Sequence, residues 1–170
     1  MTHQLNFIYN DSDWICPSEY PDLSKATEIA IDLETKDPNI KTKGPGWATF
    51  DGHIVGFAVA ALGQQWYFPI AHDAGGNMDL SITCAWMQDI LKTDATKIFH
   101  NASYDVGWLL VNGFEIRGKI VDTMIAAALI NENRFSFSLN ACAKDYLGEI
   151  KNETFLNEKA KEWGIDPKAD

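Results

Sequence analysis

Three apolar β-like runs crowd into residues 28–71, and beyond them the chain reads almost wholly as helix. The runs are "EIAIDL" (28–33), "IVGFAVAAL" (54–62) and "QWYFPIA" (65–71). Only Gly63-Gln64 separates the second from the third, a spacing that predicts an antiparallel hairpin. The first stands apart from them behind "KDPNIKTKGPGWATFDGH", a loop with Gly44-Pro45-Gly46 as its turn signal. It is apolar on both faces between 29 and 33, as a central strand is.

Helical spacing takes over from residue 80. Leu80, Cys84, Met87 and Leu91 predict a helix over 80–92 with those residues inward. "KIFH" (97–100) is a short strand. Ser103 is placed to cap a helix running to Val111, with Val106, Leu109 and Leu110 inward and Gly113 just past its end. Asp122 caps "TMIAAALIN". Ser138 opens a further helix with Leu139, Cys142, Ala143, Tyr146 and Leu147 inward and Gly148 as terminator. The charged tail "KNETFLNEKAKEWGIDPKAD" is at most partly helical. The order predicts one α/β domain: a mixed sheet, flanking helices and a hairpin at one side.

Composition narrows the function. At 170 residues and 46% hydrophobic, the chain has enough apolar material for a core. No run approaches the roughly 18 apolar residues of a membrane span. The N-terminus lacks a signal-peptide core. Cys16, Cys84 and Cys142 are odd in number and far apart, which fits buried thiols in a reducing compartment and a cytoplasmic protein. The net charge of −10 argues against a module that holds nucleic acid by phosphate contacts alone. It leaves room for a site where metal ions supply the positive charge. The tryptophans Trp47, Trp66, Trp86, Trp108 and Trp163 fit core or hinge packing better than base stacking.

The first run ends in two acidic residues. In a strand, residues i and i+2 share a face, so Asp32 and Glu34 sit side by side while Leu33 turns into the core. Two like charges at that spacing call for a proton or a cation, and all-oxygen ligation suits magnesium or manganese. Taken alone, D-x-E fits a solvated strand end better than a metal site. Asp105, in "FHNASYDVGWLL", taken alone favours the positive end of a helix, and Asn101 taken alone makes a turn.

Together, D-x-E on a first strand and N-x-x-Y-D about 70 residues later resemble the first two motifs of the DEDD superfamily of 3′-5′ exonucleases, which have a ribonuclease-H-like fold. "AIDLETKDPNIKTKGPGWAT", "WYFPIAHDAGGN", "HNASYDVGWLL" and "VDTMIAAALINEN" are similar to the proofreading exonuclease domain of family A DNA polymerases, most of all the phage type. The resemblance covers roughly residues 26–148. It implies that Asp32, Glu34 and Asp105 are catalytic and hold two divalent ions, Mg²⁺ or Mn²⁺, at the scissile phosphate. It implies that Leu33, Thr35, Asn101 and Tyr104 contact the terminal nucleotide. It implies a single-stranded or frayed DNA 3′ end as substrate, a polymerase domain C-terminal to this one, and a phage-infected or bacterial cytoplasm as setting. Packing on the helix side is the other reading of Tyr104.

One element of the pattern is missing. The superfamily has a further aspartate downstream, preceded by tyrosine in Y-x-x-x-D or by histidine in H-x-x-x-x-D. After Asp105 come Asp122, Asp145, Asp166 and Asp170, and four residues before them stand Gly118, Ala141, Glu162 and Asp166. None fits, and no histidine stands five before any of them. Tyr9 to Asp13 has the tyrosine spacing but precedes the first motif. His100 to Asp105 has the histidine spacing but ends on the second. The expectation is a chain of 1–170 that stops before its third motif, with weak or no activity by itself. The competing readings are an RNA-trimming exonuclease and a non-catalytic module that keeps a degenerate nuclease fold to bind nucleic acid or protein.

Overall fold

A computed structural model of the chain describes residues 15–73 and 75–149, with Glu158, Lys161, Glu162 and Gly164 of the tail. The sequence decoy at Tyr9–Asp13, and Trp163, Asp166 and Asp170, lie outside the described residues. Five strands form one sheet: β1 (Glu28–Lys36), β2 (His53–Ala61), β3 (Gln64–Pro69), β4 (Thr96–Phe99) and β5 (Ile120–Asp122). Their spatial order is β3-β2-β1-β4-β5. The β1–β2 and β2–β3 pairs are antiparallel; β1–β4 and β4–β5 are parallel. The expected α/β mixed sheet with a hairpin at one side is what forms.

The hairpin turns one residue earlier than the sequence reading placed it. Leu62 and Gly63 both take positive φ, 53° and 73°, which is the two-residue turn whose twist matches that of the flanking strands. The first loop is not irregular throughout. Short helices α1 (Ile40–Lys43) and α2 (Gly46–Thr49) flank its Gly44-Pro45 turn. The longer helices are α3 (Leu80–Leu91), α4 (Ala102–Val111), α5 (Thr123–Ile130) and α6 (Leu139–Leu147).

One face of the sheet carries the core. Ile29, Ile31 and Leu33 of β1, Phe57 and Val59 of β2, Phe68 of β3 and Phe99 of β4 are buried with Met87, Ile90 and Leu91 of α3 and Trp108 and Leu109 of α4. Lys97 is also fully buried there, its ammonium donating to the carbonyls of Thr93, Ala95 and Arg117 and to the Thr93 hydroxyl. The opposite face is much barer. Asp32, Glu34, Ala60 and Gln65 are exposed there, and Ala30, Ala58, Tyr67 and Ile98 are half-buried. A cavity of about 850 Å³ opens on this side, lined among others by Ala30, Asp32, Ala58, Tyr67, His100 and Leu139. β1 is therefore not apolar on both faces; its second face is acidic.

Several helix phases differ from the sequence reading. Leu80 points outward and Thr83 takes the inner place, where its hydroxyl bonds to Tyr20 at 2.7 Å. Asn101, not Ser103, is the residue before α4, and Ser103 lies inside the first turn. Leu110 is exposed while Trp108 is buried, because Ala102, Asp105, Trp108 and Leu109 form the inner stripe. In α6 only Cys142 is buried; Leu139, Tyr146 and Leu147 are exposed, with the Arg134 guanidinium over the Tyr146 ring. The caps of α5 and α6 are as expected: Asp122 accepts from the Met124 and Ile125 amides, Ser138 from that of Ala141, and Gly148 ends α6 in the left-handed region. The thiols are all free, with Cys142 buried and Cys16 and Cys84 half-buried. Trp47, Trp66 and Trp86 pack against the core. Among the described residues no helix is long and apolar enough to cross a membrane.

Candidate active site

The geometry of the site follows from β1 outrunning β4. The parallel pairing of β1 with β4 covers only Glu28–Ala30, so beyond Ala30 that edge of β1 has no strand beside it. The first turn of α4 fills the gap. The Asp105 carboxylate, 3% exposed, accepts the backbone N–H of Leu33 at 3.0 Å. Leu33 stands between Asp32 and Glu34, so the second acidic motif is bonded to the middle of the first.

A register shift on β1–β2 falls between Glu34 and Thr35, which pair with Gly56 and Ile54. Val55 is thus the extra residue of a bulge, a device that re-aims side chains beside sites. Asp32 and Glu34 point to the barer face, and Thr35 is turned toward α4. Its hydroxyl meets that of Tyr104 at 2.8 Å. Tyr104 gives its own hydrogen to Asp37 at 3.0 Å, so Thr35 is the donor of the pair. Asp37 also accepts the Gly46 amide at 2.8 Å and so ties the α1–α2 loop to the site.

The electrostatics favour a positive guest. Burial pushes the Asp105 carboxyl up, to about 7; the Leu33 amide opposes this, and the charge of Asp32 adds to it. A buried carboxylate this uncomfortable takes up a proton or a cation. The donors are all oxygens, which fits a hard divalent ion. Among the described residues no three His, Cys, Asp or Glu side chains already stand grouped to hold a metal. Asp32 and Glu34 stand on the barer face of β1, and Asp105 reaches the same strand from α4 through the Leu33 amide.

The remaining predicted residues fall as follows. Leu33 is buried, and its amide is taken by Asp105. Asn101 is exposed at the start of α4 with φ 68°, its side chain accepting from the Ser103 hydroxyl at 3.2 Å. Its amide and that of Ala102 donate to Asp122 at 3.1 and 2.8 Å. Asp122 therefore serves two helices, and it stays an anchor. His100, beyond a strand-end turn, bridges the Thr123 hydroxyl and the Phe137 carbonyl. Sequence reasoning missed Asp37, whose only signal was its place two residues after Thr35, and it missed the short strand β5.

Comparison with known proteins agrees with this arrangement. The 3′-5′ exonuclease family matches residues 20–170. The DNA-directed DNA polymerase of Pseudomonas phage M6 is 34% identical over 96% of this chain and 26% of its own length. DNA polymerase DpoZ of Salmonella phage PMBT28 is 30% identical over 85% of this chain and 21% of its own. The chain thus spans about a quarter of the curated relatives it matches. Among solved structures, Escherichia coli RNase D, an exoribonuclease involved in structured RNA processing, superposes with a TM-score of 0.56 at 19% identity, covering 78% of this chain and 31% of that one. Brucella melitensis NrnC with bound Mg²⁺ gives 0.56 at 18%, covering 78% and 59%. These likenesses speak to the fold, a ribonuclease-H-like mixed sheet with flanking helices. With its two acidic motifs bonded at one sheet edge and the family matched over most of its length, the chain belongs to the 3′-5′ exonuclease family of family A DNA polymerases.

Proposed function

We propose that Asp32, Glu34 and Asp105 hold divalent cations, two Mg²⁺ or Mn²⁺ ions, and that the domain removes nucleotides from single-stranded or frayed DNA 3′ ends as the proofreading part of a polymerase. The observation that carries this is the Asp105–Leu33 bond, which brings the third carboxylate against the strand bearing the other two. Bound divalent ions would supply an acidified water as nucleophile near neutral pH and neutralise charge on the departing 3′ oxygen.

The chain's own residues do the rest. Asp32 and Glu34 present their charges on the barer face, where a strand end has room to approach. Asp105 meets them from the edge. Asn101 is exposed and available to the terminal nucleotide; Tyr104 is braced by Thr35 and Asp37 and faces the same region. Leu33 offers only its backbone, since its side chain is in the core. The net charge of −10 is compatible with DNA once the carboxylates are paired with cations.

The test is a 5′-labelled single-stranded DNA oligonucleotide incubated with Mn²⁺ and the chain at high concentration. Shortening one nucleotide at a time from the 3′ end, lost in Asp32→Ala, supports the reading. Internal cuts contradict the polarity. Faster trimming of the matching RNA contradicts the substrate.

A further inference from the structure

On the barer face, the floor between β3 and β1 is paved with small residues. Tyr67 stands opposite Ala58, and Ala58 stands opposite Asp32. Two residues along, Gly56 stands opposite Glu34. A side chain at position 56 would occupy the space of the Tyr67 hydroxyl. The phenol therefore lies diagonally across β2 and ends at Gly56, beside Glu34. Directly opposed residues of an antiparallel pair have Cβ positions about 5 Å apart, within reach of a carboxylate. A phenol carries its hydrogen at neutral pH and can donate it to a carboxylate.

The other side of the hydroxyl is built as well. It bonds to Nε2 of His72. The side chain of Asn77 grips the His72 backbone twice, accepting its N–H at 2.7 Å and donating to its carbonyl at 2.8 Å. The two residues before His72 donate their amides to the carbonyl of Val55, the bulged residue of β2. Next to His72, Asp73 pairs with Lys36 at the end of β1 at 2.8 Å. The connection from β3 to α3 thus holds the His72 imidazole against the Tyr67 phenol, which a strand-to-helix connection alone does not require.

We propose that Tyr67 and His72 are positioning residues for Glu34: the imidazole Nε2–H donates to the phenol oxygen, and the phenol O–H donates to the Glu34 carboxylate, keeping it aimed beside Asp32. The inference rests on the reading of Asp32 and Glu34 as cation ligands. Donors behind a ligating carboxylate fix its orientation, and losing one commonly costs at least about tenfold in metal affinity.

The experiment is Mn²⁺ calorimetry on the full chain, with thermal midpoints of the metal-free proteins measured alongside. The variants are Tyr67→Phe, His72→Ala, the double variant and Asp32→Ala. Tyr67→Phe keeps the ring in its slot and removes only the hydroxyl. The expected result is about a tenfold weaker Kd for Tyr67→Phe and for His72→Ala, with the double variant no weaker than Tyr67→Phe alone. A merely structural pair would lower the midpoints and leave Kd unchanged. Mn²⁺ binding by Tyr67→Phe within twofold of wild type overturns the proposal, and sensitivity to Asp32→Ala would then leave the metal site standing. No binding by wild type, or undiminished binding by Asp32→Ala, overturns both.

Discussion

Asp105 accepts the amide of Leu33 at 3.0 Å across 72 residues of sequence, and this bond joins the first helical turn of α4 to the acidic end of β1. Its consequence for stability can be read from pH. Burial leads the causes that raise the carboxyl from 3.8 to about 7. Between those values the unfolded chain has released the proton and the folded chain still holds it. The Asp105 contribution to metal-free stability is therefore greatest below about pH 4, falls as pH rises toward about 7, and is gone above it, with a total on the order of 4 kcal/mol. Urea unfolding across this range should show the fall. Asp105→Asn keeps an acceptor for the Leu33 amide and should flatten it.

Asp122 should prove structural. Its carboxylate accepts four amides, from Asn101 and Ala102 at the start of α4 and from Met124 and Ile125 at the start of α5. Burial works against its ionisation, but these amides together hold its carboxyl below the usual range. Asp122→Ala is expected to cost about 2 kcal/mol in urea unfolding at neutral pH. Because its folded value is depressed, that contribution fades as pH falls into the acid range.

Lys97 has no exposed surface and four acceptors. Lys97→Met fits the space but leaves the carbonyls of Thr93, Ala95 and Arg117 without their donor. The loss should be on the order of 3 kcal/mol. Because these groups lie on the helix side of the sheet, Mn²⁺ affinity should be unchanged at temperatures where the variant is folded.

Tyr104→Phe removes the bonds to Thr35 and Asp37 and is expected to cost about 1 kcal/mol. Asp37→Ala should cost more, since it also frees the Gly46 amide. If Tyr104 also touches the terminal nucleotide, both variants weaken binding of a fluorescent single-stranded DNA oligonucleotide in Ca²⁺ severalfold, read by anisotropy.

What the sequence made legible was local. Asp32 and Glu34 had to share a face once β1 was recognised, and Asp122 stood where a cap belongs. The hairpin declared itself by its flanking apolar runs. The phases of α3 and α4 were harder, because both helices are apolar on more than one side and Leu80 or Leu110 could satisfy the spacing as well as Thr83 or Trp108. β5 is three residues long, too short for any period to show, and it ends in the cap of α5. The braces of the site were hidden for another reason. Tyr67 reaches Glu34 only through the register of two strand pairs and the bareness of Gly56, and Asp37 reaches Tyr104 only through tertiary packing. Neither relation has a spacing along the chain.

The most direct test of the carboxylate site is Mn²⁺ calorimetry at neutral pH on the wild-type chain and on Asp32→Ala, Glu34→Gln and Asp105→Asn. A carboxylate site for divalent ions requires binding by the wild type and at least about a tenfold loss in each variant. Equal heats from all four proteins, or binding that survives in Asp32→Ala, would contradict it.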